Sequence, residues 1–576
     1  MNIGLIGINM YSKYLNFACV LHTYAFQQFL LQHGIESTVI DYKPVYFDNF
    51  DMVHPADYYQ KLYEKRASAP TSTKEEKKRQ QAAISELNEK IEAWTALHNE
   101  REVRFEKFQT FIQQHYRKTE EAYDSDLLEI KDPGFDCYIC VTDVIWGLLP
   151  TYTYDRGFFL ASKCMEGKEK IAYAASRGVP PSLTENQEAL FFHYLQDFDS
   201  LSVREQSLQQ FVENGSHRKA ALVLDPVLLH TKDFWQKISV KPKEEKYLVL
   251  YYVMERAADT IRAAVEYARL HDLLIVELSD RPVKEGRVTD PAVKHVNKYD
   301  IGPEEWLGYL EHAECIFTNS FHGCCFAALF EKKFFAGKRD GDKVTHILQT
   351  LGLEDRRLRQ ELSRLKRKIN SLTNKSYPFN DIPETIDYAA VSARLDKKRR
   401  ESADFLLQAI RDGEQRLAKG EKKSKTDYEA FRRQLTFSVH YHSGRPNTSH
   451  SYDLTQPGSL LQKFPSGNCE YFKKGSRCRN NGSDTFEKNR YTLKGYRFIG
   501  WKVRIKIDNK WFWYMDDGTL GRKEDYEYNF EEKKKIFPDE GQIPHIPVNH
   551  IALIVAEAAW EASPWKNLRK VLNRKG

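Results

Sequence analysis

The chain has 576 residues, of which 41% are hydrophobic and 13% aromatic, and its formal net charge is +6. A chain of this length exceeds one hydrophobic core, so we expect about three domains, and the apolar content excludes a largely disordered protein. The small net charge, spread over many residues of both signs, weakly favours anionic small molecules or surfaces as ligands. It argues against a dedicated nucleic-acid binder.

The N-terminal segment, MNIGLIGINMYSKY, is predicted to begin with a β-strand rather than to be a signal peptide, because it has no basic stretch followed by a long apolar run. No window approaches the roughly 18 uninterrupted apolar residues of a membrane span. The nine cysteines are an odd number at scattered spacings, which is typical of reduced thiols. We therefore expect a soluble, cytoplasmic protein, and the ligand spacings indicate no metal site.

The first 50 residues predict a strand, a helix and a second strand. IGLIGI is a short apolar run typical of a buried strand, and NFACVLHTYAFQQFLLQHG places its apolar residues mostly on one helical face, with Gly34 as its end. STVIDYKP is the second strand, ended by Pro44. This order predicts a parallel sheet.

A polar segment interrupts the pattern at about residues 57–118. It is rich in Lys, Glu, Gln and Ala, with sparse apolar residues at helical spacing, and it predicts an inserted helical hairpin with polar outer faces. Its basic residues leave a nucleic-acid contact open, but the interleaved acidic residues favour a solvated pair of helices.

Strand and helix patterns then alternate again. CYICV, KIAYAAS and ALVLDPVLL follow in the first unit, and KYLVLYYV, LLIVEL and CIFTNS form a second. We predict an α/β fold of two Rossmann-like lobes facing a cleft, residues 1–215 and 216–412, the second ending in charged helices. Ligands of such sheets bind at the carboxyl ends of the strands, where loops lead into helices.

The composition changes again toward the C-terminus. A charged run at residues 413–425 is predicted to be a linker, and residues 426–576 a separate, mainly β domain. Within it, LKGYRFIGWKVRIKIDNKWFWYMDDG alternates aromatic and basic residues before a turn, which is typical of a β-hairpin. We interpret its tryptophans as the core of a small β domain, and a sugar-stacking surface is the alternative.

The segment TNSFHG, residues 318–323, joins an apolar strand-like run to an apolar helix-like run. Backbone N–H groups at a helix N-terminus favour a phosphate or carboxylate, and Asn319, Ser320 and Gly323 suit such an anion site. His322 can donate a proton near neutral pH. The alternative is a helix-capping serine beside a packed histidine.

Three further residues follow predicted strands. Arg204 can hold a carboxylate or phosphate in a fork, or be a surface arginine paired with Glu205 or Asp199. Asp143, just beyond CYICV, can be a base or a hydroxyl-binding group, or a helix cap. Asn16 can line the same cleft or cap the following helix.

These segments, in this order, resemble motifs of the polysaccharide pyruvyl transferase family. NFACVLHTYAFQQFL and VIDYKP resemble the first helix motif and its Asp-Tyr strand end, and VTDVIW resembles Gly-Ser-Asp-Gln-x-Trp. KIAYAASRG, LSVREQS and LVLDPVLL follow in family order, and TNSFHG matches the Thr-Asn/Asp-Ser-Phe-His-Gly motif in full. The resemblance covers residues 1–412.

The resemblance implies the glycosyltransferase B type of fold, phosphoenolpyruvate as the donor substrate, a sugar as acceptor, and no cofactor or metal. One sugar hydroxyl would attack C2 of the donor as C3 is protonated, and a second would close a pyruvate ketal as phosphate leaves. His322 would then be the acid or a phosphate ligand, Arg204 the carboxylate or phosphate clamp, and Asp143 the base. Lys343 lies where many relatives have an arginine and would contact phosphate.

We therefore expect a bacterial enzyme that adds a pyruvate ketal to a glycan precursor of the envelope or capsule. Departures from the motifs leave alternatives, because Phe321 stands where the better-understood relatives carry an arginine. These alternatives are a glycosyltransferase with a nucleotide-sugar donor and a catalytically degenerate glycan-binding or scaffold protein. The basic helical segments also leave open a peripheral contact with the inner face of a membrane, where lipid-linked sugar acceptors lie.

Overall fold

The computed structural model describes residues 1–421 apart from short stretches, together with parts of the remaining chain. The stretches left out are 10, 12–13, 45–46, 48–49, 69–70, 72–73, 126, 150–153, 180–182, 184, 254–257, 280, 283–289, 340, 359–378 and 380–381. Beyond residue 421 it describes 439–442, 496–507, 510–516, 520–522, 533–538 and 553–562.

The described strands form three sheets. Their bounds are β1 Ile3–Gly7, β2 Ser37–Tyr42, β3 Lys118–Tyr123, β4 Cys137–Asp143, β5 Glu169–Ala175, β6 Ser200–Val203, β7 Ala221–Leu222, β8 Tyr247–Tyr252, β9 Leu274–Ser279, β10 His295–Asn297, β11 Cys315–Thr318, β12 Phe334–Ala336, β13 Val439–His442, β14 Tyr496–Ile507, β15 Lys510–Tyr514, β16 Leu520–Gly521, β17 Ile536–Phe537 and β18 Leu553–Ala562. The helices are α1 Phe17–Gln32, α2 Pro55–Ala67, α3 Lys74–Ala96, α4 His98–His115, α5 Leu127–Ile130, α6 Glu185–Gln196, α7 Gln206–Ser216, α8 Lys232–Gln236, α9 Ala258–His271, α10 Pro303–His312, α11 Phe321–Leu329, α12 Lys343–Leu351 and α13 Tyr388–Ala418.

The first sheet is parallel throughout, with the strand order β3-β2-β1-β4-β5-β6-β7. Every residue of the central strand β1 is buried, and so are all but the last of β4. Burial on both faces is expected where helices cover a parallel sheet. The order β3-β2-β1-β4-β5-β6 is that of the Rossmann fold, which confirms the predicted fold class. The strand β7 continues this sheet beyond residue 215, where the first lobe was predicted to end.

The second sheet is also parallel, with the order β10-β9-β8-β11-β12. Its central strand β8, YLVLYY, is buried along its whole length because it is a continuous apolar run. Two Rossmann-like lobes follow each other along the chain, as the sequence predicts for a fold of the glycosyltransferase B type.

One hydrophobic core joins the two lobes. Phe17 of α1, Phe108 of α4 and Trp306 of α10 are all fully buried in it. The ring centroid of Phe17 lies 5.5 Å from that of Phe108 and 5.4 Å from that of Trp306. Because α1 belongs to the first lobe and α10 to the second, this packing fixes the lobes relative to each other.

The inserted segment contains three helices rather than the single hairpin predicted. The first two, α2 and α3, pack against each other. The third, α4, buries Phe108, Phe111 and Ile112 in the shared core. The spacing of these residues places them on one helical face, and this face makes the end of the insertion a core element.

Polar contacts of α4 also reach both lobes. The fully buried Arg104 donates to the carbonyl oxygen of Leu15 in the first lobe at 2.9 Å and to that of Tyr299 in the second at 3.2 Å. Lys107 pairs with Glu305 of α10, with 2.7 Å between Nζ and Oε2. The helix α4 therefore bridges the lobes.

The long helix α13 returns from the second lobe to the first. Val391 and Leu395, near its start, lie in the shared core. Leu406 and Ile410, farther along, pack against the first sheet in a second cluster. This helix is the second element that spans both lobes.

The same helix extends into the predicted linker. It ends at Ala418, so positions 413–418 are helical, while positions 422–425 lie outside the described residues. Arg416 pairs with Glu169 of β5, with 3.1 Å between Nε and Oε2, which attaches this last turn to the first lobe.

The described part of the C-terminal region forms a mainly antiparallel sheet, with the order β13-β18-β14-β15-β16 and β17 paired with β14. The pair β13–β18 is parallel. Trp501 and Tyr514 are buried, as a core interpretation predicts, and the half-buried Trp511 lies under the guanidinium of Arg504, which is 4.4 Å from its ring centroid. In its described part, the mainly β character predicted for this region is confirmed.

Among the described residues, none of the helices combines the length and the apolar character that crossing a membrane requires.

Candidate active site

The predicted catalytic residues lie at the carboxyl ends of strands from both sheets. Asp143 ends β4, Arg204 follows β6, and His322 lies in the first turn of α11 directly after β11. Lys343 is the first residue of α12. All four meet in one buried cluster where the two lobes face each other, at the position where doubly wound sheets bind ligands.

Arg204 is the centre of this cluster. Its guanidinium donates to Asp143 at 2.7 Å, to Asp225 at 2.6 Å and to Glu205 at 3.0 Å. Burial alone would lower the pKa of this arginine, but the three carboxylates raise it well above its usual value. Arg204 therefore keeps its charge at every accessible pH. The alternative of a surface arginine is excluded, because only 2% of Arg204 is exposed, although the pairing with Glu205 that it predicted is present.

Asp143 connects the lobes. Its Oδ1 accepts from Arg204 and, at 3.1 Å, from Nζ of Lys343 in the second lobe. Burial would raise the pKa of Asp143, but Lys343 and Arg204 hold it well below the usual range. Oδ2 accepts no hydrogen bond from another described residue, so the second oxygen can receive a substrate hydroxyl.

The backbone at Asp143 is strained. Its φ is +61° and its ψ is −157°, a region that residues other than glycine rarely adopt. The preceding Thr142 also has a positive φ of 38°. Such strain persists only where the surroundings impose it, and it is concentrated at functional sites.

His322 is joined to the cluster through Asp225. Its Nε2 donates to Oδ2 of Asp225 at 3.3 Å, and the same oxygen accepts from Arg204 and from Oγ1 of Thr142 at 3.2 Å. Burial would raise the pKa of Asp225, but His322 and Arg204 lower it well below the usual value. An ionised Asp225 therefore orients both the histidine and the arginine.

Lys343 is almost as buried as the arginine, with 7% of its side chain exposed. Burial lowers its pKa, and Asp143 opposes that shift. The carboxylate partner of Lys343 is shared with Arg204. A buried ammonium group whose charge is only partly balanced gains from a second anion, so Lys343 is suited to bind one.

Two residues of TNSFHG hold the loop itself. Ser320 caps α11, accepting from the N–H of Gly323 at 3.3 Å. Asn319 pairs with the backbone of Val253 at the end of β8, accepting at 3.0 Å and donating at 3.2 Å. These contacts fix His322 in place, and binding of an anion by the two side chains stays a prediction.

Glycine at position 323 and asparagine at position 16 have structural explanations too. A Cβ on Gly323 would lie 3.1 Å from Cβ of Thr318, so the tight approach of α11 to β11 requires glycine. Asn16 caps α1, accepting from the N–H of Ala18 at 3.0 Å. Ligand contacts of Gly323 and Asn16 stay predictions.

The sequence model of the polysaccharide pyruvyl transferase family matches residues 19–336, more than half of the chain. The chain belongs to the polysaccharide pyruvyl transferase family. The matched region contains Asp143, Arg204 and His322, so the family assignment and the cluster concern the same part of the molecule. Membership of this family supports a transferase of polysaccharide biosynthesis.

No curated protein matches the chain. Solved structures that are distantly similar include the UDP-GlcNAc 2-epimerase of Methanocaldococcus jannaschii, at 10% identity and a TM-score of 0.32, covering 68% of this chain and 98% of that chain. The UDP-GlcNAc 2-epimerase of Neisseria meningitidis is 10% identical with a TM-score of 0.34, covering 71% and 99%. Acinetobacter baumannii MurG is 8% identical with a TM-score of 0.31, covering 71% and 99%.

Phe321 stands where the better-understood family members have an arginine, and its ring occupies a defined place here. The guanidinium of Arg204 lies 4.4 Å from its centroid. A cation over an aromatic face is stabilised by about 0.5–2 kcal/mol. The ring of Phe321 therefore packs against one face of the Arg204 guanidinium, whose N–H groups are directed toward the carboxylates.

His22 of α1 is a site residue that the sequence did not indicate. Its ring lies 6.0 Å from that of His322, and its Nδ1 is 3.3 Å from Oγ1 of Thr23. Its Nε2 is buried without a hydrogen-bond partner among the described residues. Burial lowers the pKa of His22 to about 4, so this nitrogen belongs to a neutral ring that can donate or accept.

Ligand atoms of Cys19, His22 and Asp143 lie within 4.8 Å of one another. We assign no metal to them, because Asp143 already faces the cations Arg204 and Lys343, which would repel one. The cluster as a whole offers two fixed cations, three carboxylates and two histidines. The two cations can contact an anionic group, and Asp143 and the histidines can move protons beside it.

Proposed function

We propose that this protein transfers the pyruvyl group of phosphoenolpyruvate to a sugar, forming a pyruvate ketal on a glycan precursor of the cell envelope or capsule. Family membership supports the reaction class. The observation that carries the proposal is the buried chain Arg204–Asp225–His322, with 2.6 Å and 3.3 Å between the joined atoms. It holds a fixed cation and a proton donor next to each other, which are the two groups that an anionic enol phosphate requires.

The donor approaches from the side of Asp143. This carboxylate is 15% exposed, whereas Asp225 is fully buried. The carboxylate and phosphate of phosphoenolpyruvate compete with Asp143 for Arg204 and Lys343, because Asp143 is the partner that solvent can reach. Asp225 and Glu205 remain as fixed counter-ions that keep Arg204 oriented.

The reaction then runs in two balanced steps. One sugar hydroxyl adds to C2 of the donor and loses its proton, while C3 gains a proton and becomes a methyl group. A second hydroxyl of the same sugar displaces phosphate from C2, and its proton leaves with the phosphate. The products are the pyruvate ketal and inorganic phosphate, and no oxidant or reductant takes part.

His322 is the proposed acid for C3 or the phosphate ligand, and Asp143 the proposed base. With the cluster empty of donor, the cations make Asp143 a weak base, since they hold its pKa low. When the donor anion neutralises Lys343 and Arg204, that influence weakens and the basicity of Asp143 rises. Binding of the donor thus prepares the base, and Oδ2 is the oxygen that can accept the hydroxyl proton.

The test is the thermal shift given by phosphoenolpyruvate, compared with a panel of nucleotide sugars. A ligand at a hundred times its dissociation constant stabilises the folded state by about 2.7 kcal/mol. We expect a shift with phosphoenolpyruvate in the wild type that is reduced in His322→Gln and in Lys343→Gln. His33 and Lys246 are exposed residues outside the cluster. His33→Gln is the control for the histidine variant and Lys246→Gln the control for the lysine variant, and both should retain the shift.

The other outcomes discriminate between functions. A shift with a nucleotide sugar alone would replace pyruvyl transfer by glycosyl transfer. No shift with any donor, in a protein that melts cooperatively, would indicate a degenerate binding or scaffold protein.

A further inference from the structure

A second pocket opens beside the charge cluster, at the end of β1. It has a volume of about 130 Å³. Its polar lining comes from the strand ends of the first lobe and from α4 of the insertion: Asn9, Tyr11, Asp41, Gln109, Gln113 and Lys118. None of these residues belongs to the cluster described above.

The two charges in this pocket neutralise each other. Nζ of Lys118 lies 2.8 Å from Oδ2 of Asp41. Burial and the neighbouring Asp41 carboxylate raise the pKa of the Tyr11 phenol, which therefore stays neutral. Among the described lining residues, Lys118 is the one cation and Asp41 the one carboxylate, and they are paired with each other, so neither an anion nor a cation would find a free partner there. The pocket is therefore suited to a neutral, polar ligand.

The rim offers unengaged amides. Gln109 and Gln113 are exposed and four residues apart on α4, so they lie on the same face. Neither forms a hydrogen bond with another described residue. Each amide carries a donor and an acceptor, which matches a hydroxyl group that also carries both. Two such amides side by side suit two neighbouring hydroxyls.

The inner wall is apolar. Val39 and Ile112 line the pocket together with Tyr116, whose hydroxyl is engaged with the carbonyl oxygen of Val20 at 2.6 Å. With its hydroxyl fixed, Tyr116 presents its ring to the pocket. A polar rim over an apolar wall fits a ring that carries hydroxyls on its edge and C–H groups on its face, as a sugar does.

The pocket adjoins the catalytic cluster. Asn9 lies two residues beyond Gly7, which pairs with Val141, and Val141 lies two residues before Asp143. Thr23, the neighbour of His22 on α1, contacts the carbonyl oxygen of Ile8 at 3.4 Å. The end of β1 therefore has the pocket on one side and the cluster on the other.

We infer that this pocket binds a neutral sugar unit of the acceptor, and that the insertion supplies part of the acceptor site through Gln109 and Gln113. The inference rests on the proposed function for the role of the sugar as acceptor. Binding itself does not depend on the donor. The chemistry of the lining selects an uncharged hexose or acetamido-hexose over a uronic acid.

Saturation-transfer difference NMR tests this with glucose, galactose, mannose and their 2-acetamido derivatives, and with glucuronic acid as the charged comparison. We expect saturation transfer to at least one neutral sugar and weaker transfer to glucuronic acid. Loss of two hydrogen bonds in Gln109→Ala/Gln113→Ala should weaken binding roughly tenfold. Gln114→Ala, an exposed glutamine of the same helix outside the pocket, is the matched control.

Two results would overturn the inference: no transfer to any neutral sugar, or transfer that the double variant leaves unchanged. The phosphoenolpyruvate thermal shift separates this failure from that of the proposed function. A thermal shift with phosphoenolpyruvate, but no binding of any neutral sugar, would contradict the acceptor pocket and leave the proposed function in place. Sugar binding that depends on Gln109 and Gln113, without a donor shift, keeps the pocket and removes pyruvyl transfer.

Discussion

Lys343 of the second lobe donates to the carboxylate of Asp143 in the first, with 3.1 Å between Nζ and Oδ1. The two residues are 200 positions apart in the chain, and both are largely buried. This ion pair joins the end of β4 in the first lobe to the start of α12 in the second, at the point where a ligand is expected. The site therefore belongs to neither lobe alone.

Replacing Lys343 by methionine should weaken donor binding more than folding. Asp143 keeps Arg204 as a partner, and burial already lowers the pKa of the lysine, so removal of its charge leaves no isolated ion. Loss of a charge-assisted hydrogen bond of about 1.5–3 kcal/mol corresponds to roughly 10- to 100-fold in affinity for phosphoenolpyruvate. Isothermal titration calorimetry measures this, with the exposed Lys246→Met as control. Equal affinities in both variants would contradict a donor role for Lys343.

Replacing Arg204 by alanine should strongly destabilise the protein. It leaves Asp143, Asp225 and Glu205 without their common cation, and breaking buried ion pairs costs about 3–5 kcal/mol. Arg117→Ala is the control, because Arg117 pairs with Glu36 on the surface, where such a pair contributes about 0–1 kcal/mol. Urea unfolding followed by circular dichroism compares them. Similar midpoints for the two variants would mean that the cluster does not depend on Arg204.

Acid should destabilise the protein partly through His22. Its folded pKa of about 4 lies below the usual 6.5, so the unfolded state binds more protons between these values. Its contribution is complete above pH 6.5 and is lost as pH falls toward 4, in total roughly 3 kcal/mol. Unfolding free energies measured across this range should fall less steeply in His22→Gln than in the wild type. His230, whose pKa burial also lowers to about 4, keeps part of the slope.

The exposed His33→Gln is the control for that slope. It should reproduce the pH dependence of the wild type. If His22→Gln also showed the pH dependence of the wild type, His22 would not be a buried histidine that is kept neutral in the folded protein.

Replacing Gly323 by alanine should destabilise α11, although alanine usually stabilises a helix by roughly 0.5–1 kcal/mol over glycine. The new Cβ would lie 3.1 Å from Cβ of Thr318 and closer still to its hydroxyl. Such overpacking costs about 1–3 kcal/mol. Thermal unfolding gives the sign, and Thr318→Ala added to the same variant should recover part of the loss. A stabilised single variant would show that the close approach to β11 can relax.

The order of elements and the strand ends were predictable from the sequence. CYICV and CIF are continuous apolar runs that only a sheet covered on both faces buries, so Asp143 and His322 had to lie at carboxyl ends. The alternation of runs and helices then places both ends at one cleft. Arg204 followed from the same rule. The insertion was recognised by composition, but the apolar face of its last helix was too sparse to separate a core helix from a solvated one.

Asp225 and His22 were not predictable in the same way. Asp225 precedes a proline at the start of a short 3-10 helix and accepts from the N–H of Val227 at 3.1 Å, so its sequence signature is that of a cap. Its second oxygen, Oδ2, accepts from Arg204 and His322, which are distant in the chain, so the residues around Asp225 in the sequence do not indicate these contacts. His22 lies on α1, which is buried almost all around between the lobes, so no polar face of the helix marks it as a site residue.

The helices α4 and α13 each contact both lobes, and this has a consequence for how the reaction begins. Swinging the lobes apart would expose Phe108 and the fully buried Arg104, as well as the apolar side of α13. Arg204, held by Asp225 and Glu205, is therefore in place before the substrate arrives, and a group placed in advance requires no reorganisation at the moment of reaction. We therefore expect the two lobes to keep their relative position during the reaction, without a hinged closure. Substrate would enter beside Asp143.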